Sequence, residues 1–121
     1  MLRTAETLKA FFGGFGIPAY KENSVPDDIK LPYITFPLIE PEWDESASYY
    51  CQVWYKRKQV EALLMKADEI VGAIGEGIVF DQDGGYVALY PSSPLIQTLT
   101  DEDTDRAYLN LIIRAYHMPG D

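Results

Sequence analysis

The chain is poor in the residues that carry most side-chain chemistry. Its 121 residues include one cysteine, Cys51, and one histidine, His117. A lone cysteine excludes an intrachain disulfide and makes a reducing compartment the simpler expectation. Nucleophilic catalysis needs a base within reach of the nucleophile. Cys51 falls inside an alternating, strand-like run and reads as a core residue, while His117 reads as a solvated strand end, so no cysteine-histidine pair is expected. Basic residues are also scarce: ten Lys and Arg against nineteen Asp and Glu give a formal net charge of -9. Such a surface repels phosphates rather than gripping them through counterion release, so direct nucleic-acid binding is not expected. No apolar run approaches the ~20 residues that span a bilayer. The N-terminus lacks the charged-then-apolar pattern of a secretory signal, and a soluble intracellular protein is expected. Gly13, Gly14 and Gly16 lack the spacing, lysine and following helix of a phosphate loop and read as a helix stop.

What the chain does have is apolar material, 47% of its residues. That is enough core for one domain spanning residues 1–121 and too little length for two. Residues 49–74 organise it. An alternating run, Tyr49-Tyr50-Cys51-Gln52-Val53-Trp54-Tyr55, passes through Lys56-Arg57-Lys58 into a strongly periodic segment. There Val60, Leu63, Leu64, Ala67, Ile70, Val71 and Ile74 follow the i, i+3, i+4, i+7 rule and predict a helix with one buried face. At about 1.5 to 3 kcal/mol for each large side chain, that stripe supplies on the order of 10 kcal/mol before entropy is counted. Leu64→Asp, at mid-stripe, is expected to unfold the protein.

The rest of the chain reads as sheet and a second helix. Thr4 is placed to cap a first helix running through Leu8, Phe11 and Phe12. Residues 17–20 form a short edge strand, since Pro18 cannot donate to a ladder. Residues 31–39 read as a strand that begins at Pro32 and bends at Pro37, with Ile34, Phe36 and Leu38 on one face and Tyr33, Thr35 and Ile39 on the other. Gln82-Asp83-Gly84-Gly85 between two β-rich runs is a hairpin signal. Residues 95–99 read equally as strand or extended loop, and residues 106–117 alternate as a long final strand. The order α-β-β-β-α-β-β-β predicts an α+β fold, a largely antiparallel sheet packed by two helices.

Charge and aromatic residues mark the surfaces that could act. Two acidic stretches, residues 40–45 and 101–105, contain oxygen ligands suited to a hard cation, but neither has the glycine and terminal glutamate of an EF-hand loop, and solvated turns are the simpler reading. Lys56, Arg57 and Lys58 form the one basic cluster, at the start of the periodic helix, where the helix dipole already makes the potential positive. It could face the acidic loops of an identical neighbour. Nine tyrosines, five phenylalanines and two tryptophans are many for this length. Aromatics are enriched at protein interfaces, so Trp43, Trp54, Tyr108 and Tyr116, with Lys56, Arg57, Lys58, Asp101 and Asp103, are the interface candidates. For Trp54, burial beneath the first helix is the competing expectation.

Leu31-Pro32-Tyr33-Ile34-Thr35-Phe36, then a polar stretch, then Cys51-Gln52-Val53-Trp54-Tyr55-Lys56 leading into an amphipathic helix, resembles the small tail-terminator or tail-completion proteins of long-tailed bacteriophages and prophages. In element order the resemblance spans residues 1–117, and Pro37 and the three basic residues before the helix depart from the family's pattern. It implies a non-enzymatic virion protein that assembles with itself as a ring, usually a hexamer, capping the tail tube and presenting the surface for head-tail joining. The implied partners are copies of itself, tail-tube proteins and head-connector proteins, with DNA passing through the ring and no specific nucleic-acid binding. No cofactor, metal or catalytic residue is implied, and the implied location is the bacterial cytoplasm during assembly and then the virion tail or neck. The acidic loops would repel passing DNA while the basic cluster aligns neighbouring protein. Two other classes compete: a regulatory α+β domain binding a small ligand, which needs a deep apolar pocket with converging polar groups, and a small metal-dependent enzyme using the acidic loops.

Overall fold

Eight elements follow the expected order in a computed structural model that describes residues 2–118, with side chains from Thr4 onward: α1 (Leu2–Phe12), β1 (Ala19–Lys21), β2 (Tyr33–Phe36), β3 (Ser46–Lys56), α2 (Val60–Ile74), β4 (Ile78–Gln82), β5 (Gly85–Thr100) and β6 (Thr104–His117). The fold is α+β. Its six strands form one sheet in the order β1-β2-β3-β6-β5-β4. Every pairing is antiparallel except β1 with β2.

The long last strand lies in the middle of the sheet beside β3, and its alternation is strict. Asp105, Ala107, Leu109, Leu111, Ile113 and Ala115 are buried on one face, and the residues between them are half-buried on the other. β3 pairs along one side of β6 from Ser46↔Arg114 to Lys56↔Thr104, and β5 pairs along the other. Both helices lie on the same face of this sheet. Leu8, Phe12, Leu63 and Ile70 share one apolar cluster with Ile34, Val53, Leu89 and Leu109, and the Phe12 and Phe36 rings stack at 5.4 Å. The hairpin between β4 and β5 turns on Asp83-Gly84, where Gly84 has φ 82° and takes the left-handed conformation without a Cβ clash.

Residues 91–100, which the sequence left open, are strand. β5 pairs with β6 through Pro91↔Leu111, bulges, and resumes at Ile96↔Leu109. Pro91 and Pro94 are tolerated because β4 ends before them, leaving that stretch on an outer edge.

Other expectations are corrected. The buried seam of α2 is Leu63, Ala67, Ile70 and Ile74 alone, whereas Val60 is 46% and Leu64 40% exposed. Helical periodicity identifies a direction but not the width of what covers it, so Leu64→Asp strikes a flank rather than the core. Thr4 does not cap α1, which has already begun at Leu2; its buried hydroxyl bonds the Glu40 carboxylate and Gln82 Oε1 instead. β2 stops before Pro37, and Leu38 is 50% exposed rather than in line with the buried Ile34 and Phe36. The freed Pro37 carbonyl accepts a hydrogen bond of 3.1 Å from the Tyr49 hydroxyl.

Candidate functional site

With α1 and α2 on one face, neither covers the opposite face, which carries the sheet's own side chains together with Glu22 from the segment after β1. Strand register decides which residues stand there. Trp54 is opposite Arg106 and Tyr33, Tyr50 opposite Asn110, Tyr86 opposite Tyr116, and Tyr90 opposite Ile112. Tyr20, paired with Thr35, and Tyr108, paired with Gln52, share this face. Seven of the nine tyrosines are therefore on the helix-free face, leaving Tyr49 and Tyr55 in the core. Trp54 belongs to the same face, so the expectation that it might lie beneath the first helix is corrected.

These rings are held by one another and by polar partners. Trp54 stacks on Tyr33 at 5.7 Å, and its indole N–H donates to Thr35 Oγ1 at 2.9 Å. The Arg106 guanidinium sits 4.4 Å over the Trp54 ring, donates to Gln52 Oε1 at 3.2 Å and pairs with Asp101 at 2.7 Å. Glu22 accepts from the Tyr50 hydroxyl at 2.7 Å and from Gln52 Nε2 at 3.3 Å. Burial, followed by the hydrogen bond to Glu22, pushes the Tyr50 phenol up to about 12. Burial likewise raises Tyr33. At the other end Tyr86 stacks on Tyr116 at 4.7 Å, Tyr90 and Tyr116 share a hydroxyl hydrogen bond of 2.7 Å, and Arg114 lies 5.1 Å over the Tyr116 ring. The result is a broad platform of rings in fixed positions, and fixed rings cost little conformational entropy when another surface meets them.

The charged candidates separate into two ends. At one, the basic turn and the second acidic stretch, expected to serve separate surfaces, lie against each other. The Arg57 side chain donates to the Asp101 carbonyl at 3.1 Å, and its backbone N–H donates to the Asp103 carbonyl at 3.2 Å. Asp105 is not a solvated loop residue; it is buried and accepts from the Lys58 backbone N–H at 3.0 Å and the Thr100 hydroxyl at 2.8 Å. Lys58 has φ 70°, a left-handed position that a side chain tolerates only when its surroundings fix it, and the Asp105 bond does so. The Lys56 and Lys58 side chains are exposed.

At the opposite end Trp43, 41% exposed, lies over the β4–β5 turn. A Cβ added at Gly85 would stand 3.0 Å from its ring and 1.9 Å from the Tyr116 carbonyl oxygen, so glycine is required for this approach. The ring is 5.3 Å from that of His117. Beside it runs an open groove of about 970 Å³ lined by Glu40, Pro41, Glu42, Trp43, Gln82, Asp83 and Ala115. Among the described residues no group of three or more His, Cys, Asp or Glu side chains is placed to hold a metal ion. Cys51 is fully buried, and burial pushes its thiol well above the usual range.

Of the platform rings sequence reasoning singled out Trp54, Tyr108 and Tyr116; it passed over Tyr20, Tyr33, Tyr50, Tyr86 and Tyr90 and the groups that hold the rings, Glu22, Gln52 and Arg106. Strand parity already places Arg106 with Tyr108 on the outward face of β6, and that signal was legible. Glu22 reaches Tyr50 across 28 residues of chain and leaves no local signal.

No family model matches the sequence, and no curated protein matches it. A solved structure of a protein that carries no functional name is similar to this chain over 98% of its length and 94% of the other's, with a TM-score of 0.66 at 12% identity. At that identity the likeness speaks to the fold alone.

Proposed function

We propose that this protein is a structural virion component of a long-tailed phage or prophage, a tail-terminator or tail-completion protein. It caps the tail tube as a ring of identical subunits and presents the surface to which the head connector docks. The observation that supports this reading most is the helix-free sheet face, where seven tyrosines and Trp54 form a broad platform rather than a deep pocket. Aromatic platforms of this kind suit protein contact, since tyrosine and tryptophan supply large contact area with few torsions to freeze. The motif resemblance supplies the partner class. The net charge of -9 gives such a ring a lumen to which the DNA backbone does not adhere. No cofactor or catalytic residue takes part; the work is geometric and electrostatic.

The test is direct. Purified protein is added to tail tubes that lack their terminal ring, and the tube ends are imaged. A ring at one end, joined by heads when these are supplied, is the expected result. Tyr108→Asp with Tyr116→Asp is expected to keep the fold and lose capping, because both side chains stand on the platform and neither is in the core. Bare tube ends with wild-type protein at high micromolar concentration overturn the proposal.

A further inference from the structure

We propose that residues 96–100, the outer edge of β5, pair antiparallel with the same edge of a second copy of this chain. β4 covers the outer side of β5 only from Gly85 to Leu89. Beyond that point, among the described residues, no strand follows on this side and no backbone hydrogen bond outside the β5–β6 ladder reaches residues 92–100. An open row of N–H and C=O groups is a template for another strand, and proteins usually blunt it with lysine, proline or brevity. The far edge of the sheet is blunted in all three ways, since β1 has three residues, follows Pro18 and ends at Lys21. Leu95-Ile96-Gln97-Thr98-Leu99-Thr100 carries no charge, proline or glycine and is rich in strand formers, the composition that pairs most readily.

The helix beneath this edge is also left short of cover. Lys66 donates to the Phe15 carbonyl, which fixes that flank of α2 toward the α1 side. At 100° per residue, Val60, Leu64 and Val71 lie on the other flank of a helix that packs on β3, β6 and β5. On the helix face Val60 and Leu64 are 46% and 40% exposed and Thr98 and Thr100 are exposed, while on the other face Leu99, opposite Arg106, is 44% exposed. One more strand, about 4.8 Å beyond β5, would flank this edge on both faces.

The segment is its own complement. A two-fold axis through Thr98 sets Gln97 opposite Leu99, Ile96 opposite Thr100 and Thr98 opposite itself, each pair on one face of the joined sheet. Charge selects the direction: antiparallel pairing sends the two acidic turns at residues 101–103 to opposite ends of the joint, whereas parallel pairing sets them side by side. Such a contact closes at two copies. It is separate from the ring reading, because it leaves the tyrosine platform and the Trp43 end free.

Two double variants test it by sedimentation equilibrium. Gln97→Lys with Leu99→Lys places like charges directly opposite across the axis and is expected to weaken dimerisation roughly tenfold or more. Gln97→Lys with Leu99→Glu has the same two polar replacements but sets opposite charges face to face, and is expected to dimerise at least as well as wild type. Amide exchange on wild-type protein, independent of any variant, is expected to slow across residues 96–100 as concentration rises. A wild type that stays monomeric at millimolar concentration, or variants that dimerise equally, overturns the contact. Bare tail-tube ends bear on the ring alone and leave this contact standing.

Discussion

A single strand, β5, passes through two surroundings, and the difference shows what makes a stretch of sheet part of a core. Its first half lies between β4 and β6 with the helices beneath, and Val87, Ala88 and Leu89 are fully buried. Its second half has β6 on one side only, and Ile96, which stands on the helix face as Leu89 does, is only half-buried. Two apolar residues of one strand and one face thus differ through their neighbours. α2 repeats the contrast, its Leu63 fully buried and its adjacent Leu64 on the open flank.

The largest effect expected from this contrast is at Leu89 and Ile96 of β5. Leu89→Ala is expected to destabilise by about 2 to 5 kcal/mol, the cost of a cavity in a packed core. Ile96→Ala is expected to cost about 1 to 2 kcal/mol, because a half-buried side chain takes less apolar surface out of water and leaves less of a cavity. Denaturant midpoints measured on dilute monomer decide it, and equal losses at the two sites would show that the second half is as well covered as the first.

The pattern of strands and helices was legible because it rests on period alone. The alternation of β6, the apolar period of α2 and the Asp83-Gly84 turn each act over a few residues, and the element order followed. Three things were not legible. The width of the α2 seam depends on whether a strand lies beside β5, which no residue of α2 records. The role of Thr4 depends on Glu40 and Gln82, 36 and 78 residues away. The bases and acids at one end of the sheet, read as separate surfaces, are joined by backbone geometry: Asp105 lies at the beginning of β6, next to Thr104, and meets the turn that follows β3. Of the candidate site, Trp54, Tyr108 and Tyr116 were visible and the other rings and the polar groups that fix them were not, since cross-strand partners become neighbours only once register is known.

That junction supplies a smaller effect. Asp105 holds the Lys58 amide and the Thr100 hydroxyl and lies 3.8 Å from Arg57. Asp105→Ala leaves the Lys58 amide and Thr100 hydroxyl without their acceptor, at an expected cost of about 1 to 3 kcal/mol. Asp103→Ala, whose contact with Arg57 runs through the backbone carbonyl, is expected to cost no more than about 0.5 kcal/mol. Thermal melts of the two variants separate a clamp from a solvated acid, and matching melts would return Asp105 to the solvated class.

The same contrast runs through the thickness of the sheet at two adjacent residues, and here the expected effect on stability is smallest. Tyr49 points into the core and Tyr50 to the helix-free face, yet both phenols are raised, Tyr49 chiefly by burial and Tyr50 by burial together with Glu22. An unfolded tyrosine ionises near pH 10. A phenol raised in the folded state favours folding in its neutral form, so its contribution is complete below about pH 10 and is lost as pH climbs through the folded value, about 12 for Tyr50. Melting temperature should therefore hold steady to about pH 10 and fall above it. In Tyr50→Phe, which loses one hydrogen bond at a net cost of about 0.5 to 1.5 kcal/mol at neutral pH, that fall should be shallower between about pH 10 and 12. Phenolate absorbance at about 295 nm should show a late-ionising group in wild type that the variant lacks, with Tyr49 later still and ionising only as the sheet opens. Simultaneous titration of all nine tyrosines near pH 10 in folded protein would mean that neither the Glu22 bond nor the core holds its phenol as described.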